Sequence, residues 1–133
     1  MKIEEIEGIG AAHGAKLASA GVQTTEHLLE RGASASGRES LAAATGHSTS
    51  QLLEWVNHVD LMRIDGVGSE YSDLLEAAGV DSVPELAQRN AANLAAALES
   101  TNESKNLVRR VPSESVVAGW ISEAKTLPKV VTH

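Results

Sequence analysis

Residues 6–22 read IEGIGAAHGAKLASAGV, and residues 64–80 read IDGVGSEYSDLLEAAGV. Aligned with a shift of 58 residues, seven of the 17 positions are identical: Ile, Gly, Gly, Leu, Ala, Gly and Val. Glycine reaches positive φ at little steric cost, so two glycines around one apolar residue mark a tight turn. Ala-Gly-Val at the end of each stretch marks a helix stopped by a left-handed glycine, Gly21 or Gly79. Each stretch therefore encodes a turn, a short helix and a stop, and the chain encodes that unit twice.

The match extends outward. Thr25-Glu-His-Leu-Leu lies opposite Val83-Pro-Glu-Leu-Ala, and Trp55 lies opposite Trp120 with an offset of 65 rather than 58. The seven extra residues fall around residues 105–112. Capping residues divide the chain into helices. The first runs from just after Gly10 to about Ala20. A second starts at Thr24 or Thr25 and ends near Gly32. A third covers 36–45 and stops at Gly46. Ser48-Thr-Ser-Gln51 has the capping-box pattern and opens a fourth over 49–63. In the second half a helix starts near Ser69 and ends at Gly79. Ser82-Val-Pro-Glu85 opens a short one, a longer one covers 91–108, and a last one carries Trp120 between Pro112 and Pro128. Beyond the terminal Val130-Val131 no stretch alternates as a strand does.

The pattern apolar–x–Gly–apolar–Gly, followed by a helix ending in Ala-Gly-Val, resembles the helix-hairpin-helix motif. Over nearly its whole length the chain is similar to the uncharacterised bacterial domain-of-unknown-function family 4332. The resemblance implies an all-α fold of two helix-hairpin-helix repeats packed as a pseudo-twofold helical domain. Repeat one is 1–63 and repeat two 64–133, joined as one compact unit. Hairpin two has a full helix before it, whereas hairpin one has only Lys2–Ile6. The Trp120 helix is therefore expected to fold back beside hairpin one, or to be exchanged with a second chain. Monomer and dimer both remain open.

The 133 residues carry 11 Lys+Arg against 18 Asp+Glu, a formal net charge of −7, which disfavours general attraction to nucleic acid or anionic membrane. With no cysteine, disulfides and thiolate zinc sites are excluded. There is no Phe, so the apolar interior is built largely from small side chains around Trp55, Tyr71 and Trp120. MKIEEIEGIG has no apolar signal core, and no segment is long and apolar enough to span a bilayer. The expectation is a cytoplasmic protein.

Members of the helix-hairpin-helix group often bind nucleic-acid backbone, through turn amides aimed at a phosphate and the positive end of the next helix. Carried onto this chain, the candidate phosphate-binding hairpin is Gly8, Ile9, Gly10, Ala11, Ala12, His13 and Lys16. Lys16 is its one cation, and Glu4, Glu5 and Glu7 oppose it. Hairpin two, Gly66, Val67 and Gly68, is surrounded by Asp65, Glu70, Asp73 and Glu76 and is expected to be structural. Ile9 and Val67 should plug their turns into the core, and Gly10 and Gly68 should sit in equivalent turns.

Lys105, Arg109 and Arg110 form the only basic run free of acids, in the extra segment, where a solvated loop is expected and partner docking is the alternative. The five histidines, His13, His27, His47, His58 and His133, show no metal-ligand spacing. No nucleophile–base or paired-carboxylate constellation stands out, so neither catalysis, cofactor nor metal is expected. The function read from the residues is a non-catalytic interaction or scaffold protein with another protein as partner. The alternative is non-sequence-specific binding of nucleic-acid (DNA) backbone through hairpin one.

Overall fold

The structure, a computed structural model, describes residues 1–6 and 8–133; Glu7, one of the acids set against phosphate binding, lies outside the described residues. Among these the chain is all α, with no strand. A 3-10 turn, Ile3–Glu5, precedes α1 (Gly10–Ser19), α2 (Thr25–Gly32), α3 (Ala35–Thr45) and α4 (Thr49–Leu61). Then follow α5 (Ser69–Ala77), α6 (Val83–Ala87), α7 (Ala91–Lys105) and α8 (Glu114–Ala124). Val130-Val131 forms no strand; the one bridge is isolated, between Lys2 and Thr24. No helix among the described residues is long and apolar enough to cross a membrane.

Two compact units divide the chain. The first holds residues 1–60 together with 130–133, and the second holds 61–129. Their local hydrogen bonds recur at positions 58 apart. Ile9 N–H donates to Ile6 C=O at 3.1 Å, and Val67 N–H to Ile64 C=O at 3.0 Å. At the end of α1, Gly21 N–H donates to Ala18 C=O and Val22 N–H to Leu17 C=O. At the end of α5, Gly79 N–H donates to Glu76 C=O and Val80 N–H to Leu75 C=O. This is the Schellman stop, with left-handed glycine at φ 89° and 96°. Leu17, Val22, Leu75 and Val80 are fully buried beneath the two stops.

The stops share a further brace. Arg31 Nη1 donates to Ala20 C=O at 3.0 Å, and Arg89 Nη2 to Gly79 C=O at 3.1 Å. A guanidinium at a helix C-terminus satisfies the last carbonyls and opposes the dipole's negative end.

In the first unit α1 packs on the 3-10 turn and α3, and α2 packs on α3. Ile3, Ile6, Ile9, Leu28, Leu41, Leu52, Trp55 and Val56 are buried there. The small-residue composition has its effect: a Cβ on Gly32 would lie 2.5 Å from Val56 Cγ2. Residues 130–133 complete this unit. Thr132 N–H donates to Ala33 C=O at 2.8 Å. The buried Arg38 donates to the carbonyls of Gly32, Ala33 and Thr132 at 2.8, 3.0 and 2.6 Å.

In the second unit α8 packs on α6 and α7, and α5 on α7. Its core gathers Leu61, Ile64, Val67, Leu74, Leu86, Leu94, Leu98, Val117 and Trp120 among others. The helix carrying Trp120 is thus a member of the second unit. Within that unit its apolar face packs on α6 and α7.

Helix ends follow the capping signals. Thr24, Ser34, Ser82, Asn90 and Ser113 each accept a backbone N–H from three residues ahead. α4 stops at Leu61, two residues short of the expected end. α7 stops at Lys105, three residues before Val108. There Asn106 turns left-handed at φ 50°, and Asn102 Oδ1 takes the N–H groups of Leu107 and Val108 at 2.8 and 3.0 Å. An amide side chain has replaced the helical carbonyls as acceptor.

Candidate functional site

The first Gly-x-Gly turn is open. Ile9 is 2% exposed and plugs the core, while Gly8, Gly10, Ala11, Ala12, His13 and Lys16 are all exposed. A Cβ built on Gly8 or Gly10 would meet nothing within 4 Å. α1 carries no acid in its first turn, and no side chain caps its N-terminus. The turn and its amides thus lie at an accessible N-terminus of α1, while Lys16 stands in the helix's last turn.

The second turn is covered in part by α8; Gly66 and Gly68 are exposed, and a Cβ on Gly68 would meet nothing within 4 Å. The Glu123 carboxylate accepts the Asp65 N–H, at 3.1 Å to Oε1 and 3.2 Å to Oε2. Three residues earlier on the same helix, Trp120 Nε1 lies 3.4 Å from where a Cβ on Gly66 would be. Its ring packs against Tyr71 with centroids 5.3 Å apart. An internal carboxylate thus already satisfies a turn amide, and Glu70 occupies the first turn of α5. Val67 is buried, at 4%.

The two turns also differ in backbone. Gly8 and Gly66 agree, at φ 84° and 89°. Gly10 and Gly68 do not. Gly10 is left-handed at φ 66°, whereas Gly68 is extended at φ −93°, ψ −169° and stands as the N-cap of α5. The equivalence expected of this pair fails because glycine admits both conformations without a Cβ penalty. The identical letter therefore does not fix the turn, and the second turn has α8 pinning it.

The extra segment is held rather than loose. The α7–α8 connection spans residues 106–113, against 46–48 between α3 and α4. Asn102 brackets it with three bonds, including Nδ2 to Val108 C=O at 3.0 Å. Tyr71 O–H donates to Arg110 C=O at 2.9 Å, and Val108 and Pro112 are buried. Lys105, Arg109 and Arg110 stay exposed on this fixed support.

One cluster that sequence reasoning missed lies within the first unit. His13 of α1, His47 of the α3–α4 connection and Trp55 of α4 meet ring to ring. Centroids lie 5.0 Å apart for His13–His47, 5.5 Å for His13–Trp55 and 4.9 Å for His47–Trp55. His47 Nε2 is buried with no hydrogen-bond partner among the described residues. Burial holds the His47 imidazole below its ordinary pKa, with the positive charges of His13 and Lys16 adding to the effect. No sequence spacing links positions 13, 47 and 55; only the packing of α1, α3 and α4 brings them together.

These observations define an all-helical protein with two Gly-x-Gly turns, one open and one partly covered by α8. The chain belongs to the family described as domain of unknown function DUF4332, whose model matches residues 7–127. No curated protein and no solved structure matches the chain.

Proposed function

We propose that the chain is a non-catalytic interaction or scaffold module of helix-hairpin-helix type, built from two tandem repeats. It engages another protein through the first turn. The observation that carries this reading is the contrast between the turns. In the second, Trp120 stands against Gly66 and Glu123 takes the Asp65 N–H, while Gly68 stays exposed with open space around it. The first leaves Gly8, Gly10, Ala11 and Ala12 exposed, with open space around both glycines. A photo-crosslinking side chain at Ala12 should give protein adducts that the same group at Ser69 does not give. Equal adducts at both positions refute the assignment.

A second reading, binding of nucleic-acid backbone at the first turn, is favoured by the uncapped, acid-free N-terminus of α1 with Lys16 on the same helix. Charge opposes it. Affinity grows with the number of phosphates neutralised, and log K falls with log salt by about 0.9 per contact on duplex DNA. One lysine, in the last turn of α1, and a net charge of −7 leave little of either term. Anisotropy titrations with labelled single- and double-stranded DNA and RNA should show no saturation at physiological salt. Saturable binding that Lys16→Glu abolishes would replace the first reading with the second.

A further inference from the structure

The His13–His47–Trp55 cluster joins the open turn's helix, through His13, to the α3–α4 connection and α4, and neither reading above uses His47 or Trp55. Its geometry has one defect. The His47 backbone is fixed, because its N–H donates to Thr45 Oγ1 at 3.3 Å, and Thr45 in turn donates to Leu41 C=O at 2.7 Å. The ring it carries has a buried Nε2 that meets no partner among the described residues. A neutral imidazole tolerates one unpaired nitrogen. An imidazolium has two N–H donors and needs an acceptor for each.

The surrounding charges sharpen the defect. Among the described residues, the groups that act on His47 electrostatically are His13 and Lys16, both on α1 and both positive when charged. The Thr45 hydroxyl of α3 takes the His47 backbone N–H rather than a ring nitrogen, and Trp55 of α4 offers an aromatic ring. On the 3-10 turn, the other element packed on α1, Glu4 stands against Gly14, where a Cβ would come within 3.0 Å of its own Cβ. Neither Glu4 nor Glu5 is among the groups that act on His47. One imidazolium beside Trp55 gains a cation–π attraction. Two imidazolium rings with centroids 5.0 Å apart and a lysine close by repel one another.

We propose that His13, His47 and Trp55 form a proton-sensitive latch beside the open turn. Neutral rings keep it closed, and protonation separates the two imidazoles, uncovers Trp55 and adds positive charge to the face of α1 that carries Lys16. The consequence for binding, a stronger hold on acidic ligands in mildly acidic conditions, rests on the first turn being the interaction face; the opening itself does not. Histidine is the side chain whose ordinary titration falls in this range.

The test uses the full chain with no ligand, so its outcome is independent of whether the first turn binds anything. NMR follows the His Cε1–H and the two Trp indole N–H signals from about pH 8 to pH 5. His47 should titrate below the ordinary histidine value of 6.5. The Trp55 indole should shift with the same midpoint and exchange its N–H at least about tenfold faster below it. The Trp120 indole, packed on Tyr71, is the internal control and should not follow. His13→Ala and Lys16→Gln should each raise the His47 midpoint, and His47→Gln should abolish the Trp55 transition. The proposal is overturned if His47 titrates at or above the ordinary value, which would mean the cation–π attraction wins. It is equally overturned if Trp55 stays protected while His47 charges.

Discussion

Gly21→Ala and Gly79→Ala are the substitutions whose cost the structure fixes most directly. Each glycine is the left-handed residue of a Schellman stop, at φ 89° and 96°. An L-residue in that conformation costs roughly 1–2 kcal/mol. The new Cβ would lie 3.2 Å from Arg31 Nη1 in one case and 3.5 Å from Arg89 Nη2 in the other. Both neighbours are tips of flexible side chains, so they yield at little cost, and the backbone term dominates. The two losses should therefore be nearly equal, about 1–2 kcal/mol each. Gly119→Ala is the opposite case. Gly119 lies inside α8, is exposed, and a Cβ there meets nothing within 4 Å. Replacing a helical glycine by alanine should stabilise by about 0.5–1 kcal/mol. For 133 residues the unfolding entropy is about 280 cal/mol/K, so the cap variants should melt roughly 4–7 °C lower and Gly119→Ala about 2–4 °C higher. Urea denaturation with unchanged slope, together with thermal scans by circular dichroism, reads both. A neutral Gly21→Ala, or losses at the two stops that differ several-fold, would refute the idea that one backbone device ends α1 and α5.

Further outcomes follow from other contacts. Trp55→Ala and Trp120→Ala, each replacing a ring 5% exposed, should cost on the order of 3–5 kcal/mol by chemical denaturation; a loss near zero would mean the ring is not part of a core. Asn102→Ala removes three bonds that hold the loop at Leu107 and Val108, and should cost about 1–3 kcal/mol while raising amide exchange at residues 106–110. Because the folded state holds His47 below its ordinary value, the unfolded chain binds more protons, so stability rises with pH through the window just below 6.5 and is lost as pH falls through it. His47→Gln should flatten that part of a stability–pH curve measured in urea.

The elements most legible in the sequence were those set by local chemistry. A side-chain oxygen three residues ahead of an amide, a glycine after the last apolar position and a proline in a first turn act within a few residues of chain. They placed α1, α2, α5, α6 and the start of α7 within a residue or two, and the buried Ile9 and Val67 with them. Where an end was misplaced, a side chain had intervened, as Asn102 does at the end of α7. The repeated text also predicted too much. Gly10 and Gly68 share a letter and a position yet differ in φ, because glycine's freedom lets each turn take the form its surroundings set.

What the sequence determined alone was the helical class, the chain's negative charge, the two glycine turns and their two left-handed stops. All of these depend on residues close together in the chain. Tertiary structure decided which turn is open and which is partly covered. Glu123 reaches Asp65 across 58 residues, and Trp120 reaches Gly66 across 54. Packing likewise put His13, His47 and Trp55 in one cluster. Contacts at such separation leave no periodicity to read, since they arise only when helix faces find their partners and bury apolar surface together.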